Sequence, residues 1–494
     1  MIGVTDDSPG LPVMLTSTDP DYPRFHLAPA RGRLNDPNGL VVVDGVYHAF
    51  FQYGPGFPQE KLVHWGHASS ADLVHWRHHR PAISPDSWYD RCGAYSGGAI
   101  VHDGAVWFHY TGNVKTDAGD RESYQCLVTS SDLVTFAKDA DNPLIAGPPP
   151  GYTAHFRDPQ VVAEGDHWRM CIGAQREDLT GCVLVYHSHD LRAWDLVGEL
   201  ELPDADGRFD SFGYMWECPN LLRIPDEVTG KYWDVLIFCP QGIGPIGDSF
   251  RNIFPCGYLI GEWDGRALRG AGEFVELDHG FEFYAPQTFA RAGHEDDAPV
   301  LLGWLGNASE DDQPSLTEHG WVHLLSVPRR LTVRDGRLRQ RIAAPDLDPL
   351  SAKAALSLAV AGARVRGDVV QIPELTDQRS FVLDLDVDQS AASGWQLRLA
   401  SGSSDVTCRF EKGSLSVDRS ATRYPHGGTR TIAVPGDDRL RLQLVHDRSV
   451  TELFVGDGQA VFSLRSYLEP GEFTVTITAS GTLAVHSAVA VVTG

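Results

Sequence analysis

A unit that recurs about every 60 residues constrains the fold of this chain more than any other feature. Each copy opens on a glycine-bearing turn and continues as an aromatic-rich strand. The copies are Asp44-Gly45-Val46-Tyr47-His48-Ala49-Phe50-Phe51, Asp103-Gly104-Ala105-Val106-Trp107-Phe108-His109-Tyr110, Gly165-Asp166-His167-Trp168-Arg169-Met170 and Gly230-Lys231-Tyr232-Trp233-Asp234-Val235. A second element keeps the same rhythm: Ser70-Ala71-Asp72-Leu73-Val74-His75-Trp76, then Ser131-Asp132-Leu133-Val134-Thr135-Phe136, then Ser188-His189-Asp190-Leu191-Arg192-Ala193-Trp194. In each, a polar residue can close a turn while Leu and the aromatic insert between neighbouring sheets. Such a period marks blades or arrays, because one unit cannot bury its apolar face alone. About five units fit between residues 25 and 335, a number within the range of propeller folds.

The fold class expected is therefore all-β, a five-bladed β-propeller followed by a C-terminal β-sandwich. The expected divisions are an N-terminal arm over 1–24, loose as far as residue 20, a propeller carrying the chemistry over 25–340, a linker over 341–350 and the sandwich over 351–494. The last rests on strictly alternating runs such as Phe381-Val382-Leu383-Asp384-Leu385-Asp386-Val387 and Phe473-Thr474-Val475-Thr476-Ile477, which suit strands buried on one face.

Charge narrows the partners. With 41 basic and 66 acidic residues the chain carries a net −25, which repels polyphosphate and anionic lipid, so no nucleic acid and no membrane partner is expected. The N-terminus lacks both a basic start and an apolar run of signal length, and a cytoplasmic location is expected. None of the eight cysteines forms a Cys-x-x-Cys pair, so they read as scattered thiols.

Three carboxylates stand in unusual settings. Asp36 lies in the tight turn Asn35-Asp36-Pro37-Asn38-Gly39. Glu217 lies in Phe212-Gly213-Tyr214-Met215-Trp216-Glu217-Cys218-Pro219-Asn220, where an aromatic crowd with no adjacent base is expected to desolvate it and keep it protonated. Asp158 follows Arg157, whose charge favours the ionised acid. One ionised carboxylate, one protonated and one held to orient hydroxyls make a set suited to glycoside cleavage, with Gln52 and Trp65 supplying amide and aromatic groups for a sugar.

These segments resemble glycoside hydrolase family 32, the invertases, fructanases and sucrose-6-phosphate hydrolases. The likeness rests on Asn35-Asp36-Pro37-Asn38-Gly39, Tyr95-Ser96-Gly97, Phe156-Arg157-Asp158-Pro159, Glu217-Cys218-Pro219, Phe283-Tyr284-Ala285-Pro286-Gln287, Gly303-Trp304-Leu305 and Gly320-Trp321 with Val327-Pro328-Arg329, all in order. The resemblance implies retaining hydrolysis of β-fructofuranosides without a cofactor or metal, on sucrose or a fructo-oligosaccharide. Asp36 would be the nucleophile, Glu217 the general acid/base and Asp158 the transition-state stabiliser, while Asn35, Gln52, Trp65, Tyr95, Ser96, Arg157, Tyr284 and Trp304 would line the fructosyl pocket. Two departures bear on substrate preference. The loop from Gly54 to His64 lacks the family's usual tryptophan, leaving Phe57 or Glu60 near the missing ring, and Tyr95 replaces a phenylalanine.

Competing readings are an inverting propeller glycosidase acting on arabinosides or xylosides, a non-catalytic sugar-binding propeller and an interaction scaffold. His64, His67, His75, His78 and His79 have no spacing that completes a metal triad, and Cys218 has no clear histidine partner to make it a nucleophile.

Overall fold

The computed structural model describes residues 2–3, 13–14, 16–291, 297–307, 312–411, 413–434 and 437–493. Five antiparallel sheets are arranged around an axis, and the first strand of each lies innermost. These inner strands are β1 (Gly32–Val43), β2 (Ala94–His102), β3 (Tyr152–Glu164), β4 (Met215–Pro225) and β5 (Phe283–Thr288), each packed against its neighbours in the ring. The aromatic runs of the repeat form the second strands, at Val46–Gly54, Ala105–Lys115, His167–Arg176 and Tyr232–Gln241. Their large side chains, including Phe50, Phe108 and Phe238, fill the spaces between blades.

The second repeated element is a capped turn between the third and fourth strands. Ser70 Oγ accepts the Leu73 amide while Asp72 Oδ1 accepts the amides of Val74 and His75. Ser130 with Asp132 and Ser188 with Asp190 repeat the pattern. Short polar side chains here replace missing backbone partners, the usual reason for Asp and Ser in turns. The ring closes through the start and end of β1, where Trp321–Val322 and Ala290–Arg291 add in parallel beside Gly32–Arg33 and Val41–Val42.

The second unit is an eleven-stranded sheet curled into a sandwich. Its frame is a long antiparallel pair, β6 (Ser380–Ser401) and β7 (Phe473–Val492). Alternate residues Phe381, Leu383, Leu385 and Val387 face one core with Val475, Ile477 and Leu483, as expected of strands with period 2.

Two sequence expectations need correction. The end of the arm is not loose: Asp19 and Tyr22 are buried, and Trp321 Nε1 donates to Asp19 Oδ2 at 2.7 Å. The segment expected as a linker, 341–350, is itself packed, with Ala343, Ala344 and Leu347 buried in the propeller's core. Polar side chains tie the two units together. Arg329, fully buried, donates to Asp278 at 3.0 Å, to Glu452 at 2.5 Å and to Gln340 at 3.0 Å. His26 sits between Asp447 and Glu452 at 2.9 and 3.0 Å. Among the described residues no helix is long and apolar enough to cross a membrane.

Candidate active site

The five inner strands share a defect at the same height. Register shifts fall at Leu34/Pro37, Tyr95/Gly97, Arg157/Gln160, Glu217/Asn220 and Tyr284/Gln287. The sequence gives the cause. Asp36-Pro37, Asp158-Pro159, Cys218-Pro219 and Ala285-Pro286 each put a proline, which cannot donate to the ladder, at the same point of a blade, and blade 2 has Gly97 there. Asp158, Cys218 and Ala285 adopt left-handed backbone with φ of 67°, 49° and 47°. A Cβ on Gly97 would lie 1.9 Å from the His109 carbonyl oxygen, so that position admits only glycine. A bulge bends the strand and turns side chains that pleating would point sideways towards the axis.

A cavity of about 390 Å³ opens at this level, lined by Asn35, Asp36, Gln52, Tyr95, Arg157, Asp158, Glu217, Tyr284 and Trp304 among others. All three carboxylates therefore face one space although they come from three different blades. Asp36 Oδ2 accepts from Ser96 Oγ at 2.5 Å and Gln52 Nε2 at 3.1 Å. Burial, together with the negative charges of Asp158 and Glu217, pushes the Asp36 carboxyl up to about 7, against the Ser96 hydrogen bond that pulls it down. Burial and the Glu217 charge also raise Asp158, opposed by Arg157 and by the Cys218 amide that donates to its Oδ2 at 3.1 Å. Glu217 is the most heavily bonded of the three. Arg157 donates to its Oε1 at 2.8 and 2.5 Å, and Gln241 Nε2 and Tyr284 Oη donate to its Oε2, each at 2.6 Å.

Most of the residues expected at the site converge there, and several expectations are corrected. Trp65 does not reach the cavity. It is fully buried beneath the Asn35–Gly39 turn, donates to the Tyr95 carbonyl at 3.0 Å, and approaches Gly39 so closely that a Cβ there would lie 2.8 Å from its ring. Ser96 is likewise buried behind Asp36, which it holds from the rear. Arg157 pairs with Glu217 rather than with adjacent Asp158, and of the aromatic crowd Trp216 turns between blades onto Phe238, 4.3 Å between centroids, while Tyr214 stays in the cavity wall. In the 54–64 loop Val63, not Phe57 or Glu60, forms the wall; Phe57 is buried with the Arg33 guanidinium 5.2 Å from its ring.

Sequence reading missed Gln241, Arg121, His155 and Tyr214, all in the cavity wall. Gln241 ends the strand paired with β4, so its place beside Glu217 follows only from that register. Arg121 begins the third strand of blade 2, lies 5.9 Å from the Tyr95 ring centroid and has no carboxylate partner among the described residues. The alignment of the x-x-Pro steps across four blades was the signal that could have located the whole ring.

The model of the glycosyl hydrolases family 32 N-terminal domain matches residues 26–342, and that of the family 32 C terminal matches 355–492. The chain belongs to glycosyl hydrolase family 32. It is thus a glycosidase. It is 35% identical over 476 residues to the sucrose-6-phosphate hydrolase of Bacillus subtilis, covering 94% of this chain and 93% of that one. The raffinose invertase of Escherichia coli is 36% identical, covering 90% and 89%. Among solved structures, the sucrose-6-phosphate hydrolase from Lactobacillus gasseri superposes with a TM-score of 0.80 at 30% identity, over 96% of this chain and 94% of that one. A mutant of the Bombyx mori family 32 beta-fructofuranosidase in complex with sucrose gives 0.77 at 30%, over 95% and 93%.

Proposed function

We propose that this family 32 enzyme releases fructose from sucrose and its 6-phosphate with retention of configuration. Asp36, fixed by Ser96 and Gln52 within a rigid bulge, attacks the anomeric carbon. Glu217 gives a proton to the departing oxygen and later takes one from the water that releases fructose, while Gln241 and Tyr284 hold its Oε2 in place. Asp158, fixed by backbone at the same bulge position of blade 3, binds fructosyl hydroxyls. The observation that carries this reading is the opening of three carboxylates from three blades onto one small cavity, in a chain of this family.

The phosphorylated form of the substrate is argued from Arg121. A guanidinium beside a catalytic cavity, with no carboxylate partner among the described residues, offers a fork of donors to a phosphoryl group. His155, 3.0 Å from Arg157, is held down at about 4 by burial and by the Arg157 and Arg121 charges. A phosphate dianion there would raise it and gain a further donor. A cytoplasmic location suits such a substrate, since a charged sugar does not cross a bilayer unaided. A hydrolysis panel of sucrose, sucrose 6-phosphate, kestose, inulin and levan with product identification tests the reading. Sucrose 6-phosphate is expected to have the highest kcat/KM, and absence of fructose from every member would reject it.

A further inference from the structure

Blade 3 carries a second cluster of chemistry at the end of β3 remote from the cavity. Glu164 closes β3, His167 opens the next strand opposite it, and His187 lies on the third strand (Gly181–Ser188) opposite Arg169. Two-residue periodicity puts all of them on one face of the sheet, which packs against blade 4. Three atoms, Glu164 Oε2, His167 Nε2 and His187 Nε2, are each buried and have no hydrogen-bond partner among the described residues. They converge nevertheless: Glu164 Oε2 is 3.6 Å from His167 Nε2 and 4.0 Å from His187 Nε2, beyond hydrogen-bond length, and all three lie within 4.8 Å of one another. Buried polar atoms left unpaired are costly, so three pointing at one another need something positive between them.

We infer that Glu164, His167 and His187 bind a zinc-class divalent cation. Zinc bonds of 2.0–2.2 Å in a tetrahedron separate neighbouring ligand atoms by about 3.4 Å, against 3.6 and 4.0 Å from Glu164 Oε2 to the two histidines here. Supporting contacts match those that orient metal ligands. His167 Nδ1 lies 3.2 Å from Asp166 Oδ1, which fixes the proton on Nδ1 and leaves the Nε2 lone pair facing the cluster. The other oxygen of Glu164 accepts from Arg169 Nη1 at 3.0 Å and from Trp263 Nε1 of blade 4 at 2.8 Å. Arg169 opposes a cation by its charge, and Asp166 offsets it. The ion would join three strands of blade 3 to a carboxylate anchored on blade 4, leaving one position for water. Because Glu164 is six residues along β3 from Asp158, or about 20 Å at 3.3 Å per residue, the role is structural rather than catalytic. The five histidines read from the sequence differ in kind: His67 stacks on His79 and on Phe50, while His75 pairs on its own with Asp72 at 2.8 Å.

The test uses the full chain stripped with a chelator, then titrated with Co²⁺ while visible absorption is read, with Zn²⁺ retention after gel filtration measured by elemental analysis. One equivalent is expected in the parent and in His75→Gln, a distant exposed control. Affinity should fall at least about tenfold in His167→Gln and in His187→Gln. Sucrose hydrolysis by the metal-free variants reports that they remain folded. Failure of the parent to retain metal, or binding by both folded variants as tight as by the parent, would overturn the assignment and leave the cluster to protons.

Discussion

In the propeller all five inner strands break register where they meet the cavity, whereas the longest pair in the sandwich, β6 and β7, stays in register from Phe381–Val492 to Asp386–Ser487 and again from Gly394–Ser480 to Ser401–Phe473. The sandwich has bulges too, between Asp386 and Gly394, but there the residues from Ser390 to Ser393 are largely exposed and no group of acids gathers. A bulge alone does not make a site. Five at one height, on strands that converge on an axis, turn side chains from distant segments into a single space. The sandwich spends its regularity on burial, and it meets the propeller through buried polar contacts such as Arg329 to Glu452 and Arg419 to Glu282, the latter in the cavity wall.

That contrast can be broken or sharpened by substitution. Asp36→Asn should remove the nucleophile and lower kcat by roughly 10⁴- to 10⁶-fold with little change in thermal midpoint, read by steady-state assay and calorimetry. Arg329→Met leaves Asp278 buried without its cation and Glu452 with His26 alone, and should cost about 3–5 kcal/mol in stability, seen as a lower denaturant midpoint, with kcat of the folded fraction retained. Equal loss of kcat and stability would mean that the interface feeds into the site. Arg121→Gln should lower kcat/KM for sucrose 6-phosphate about 10- to 100-fold, the worth of one charge-assisted contact, while sucrose changes less than about twofold.

Ser96→Ala removes a hydrogen bond that favours ionised Asp36. The carboxyl should rise above about 7, and the acid limb of kcat/KM, which falls as pH drops and Asp36 takes a proton, should move to higher pH by about one to two units. A limb that stays in place would take Asp36 out of that ionisation. Ser390→Ala, in the exposed bulge of the sandwich, should change kcat and stability by less than about 0.5 kcal/mol.

Much of this was legible in the chain. The blade period showed because each unit repeats a Gly turn, an aromatic strand and a Ser-x-Asp-Leu turn, and the sandwich showed through alternation. Asp36, Asp158 and Glu217 stood out through a tight turn, an adjacent arginine and an aromatic-rich stretch. Side-chain direction was not legible. Trp65 looked like a sugar platform, but it is committed to supporting Gly39, and Arg157 reached past its neighbour to another blade. Gln241 and Arg121 come from second and third strands, whose ends reach the cavity only through pairing register. The Glu164, His167 and His187 cluster was hidden for the same reason, since its third member comes from a later strand.

The central claim, that acids from separate blades act on one fructosyl unit, is tested most directly by trapping the intermediate. Glu217→Gln should be supplied with an aryl β-fructofuranoside, whose leaving group needs no proton, then quenched, digested and weighed by mass spectrometry. A single fructosyl residue on the peptide containing Asp36 is the expected result. Turnover of the aryl fructoside with no adduct, together with release of the inverted anomer, would contradict it.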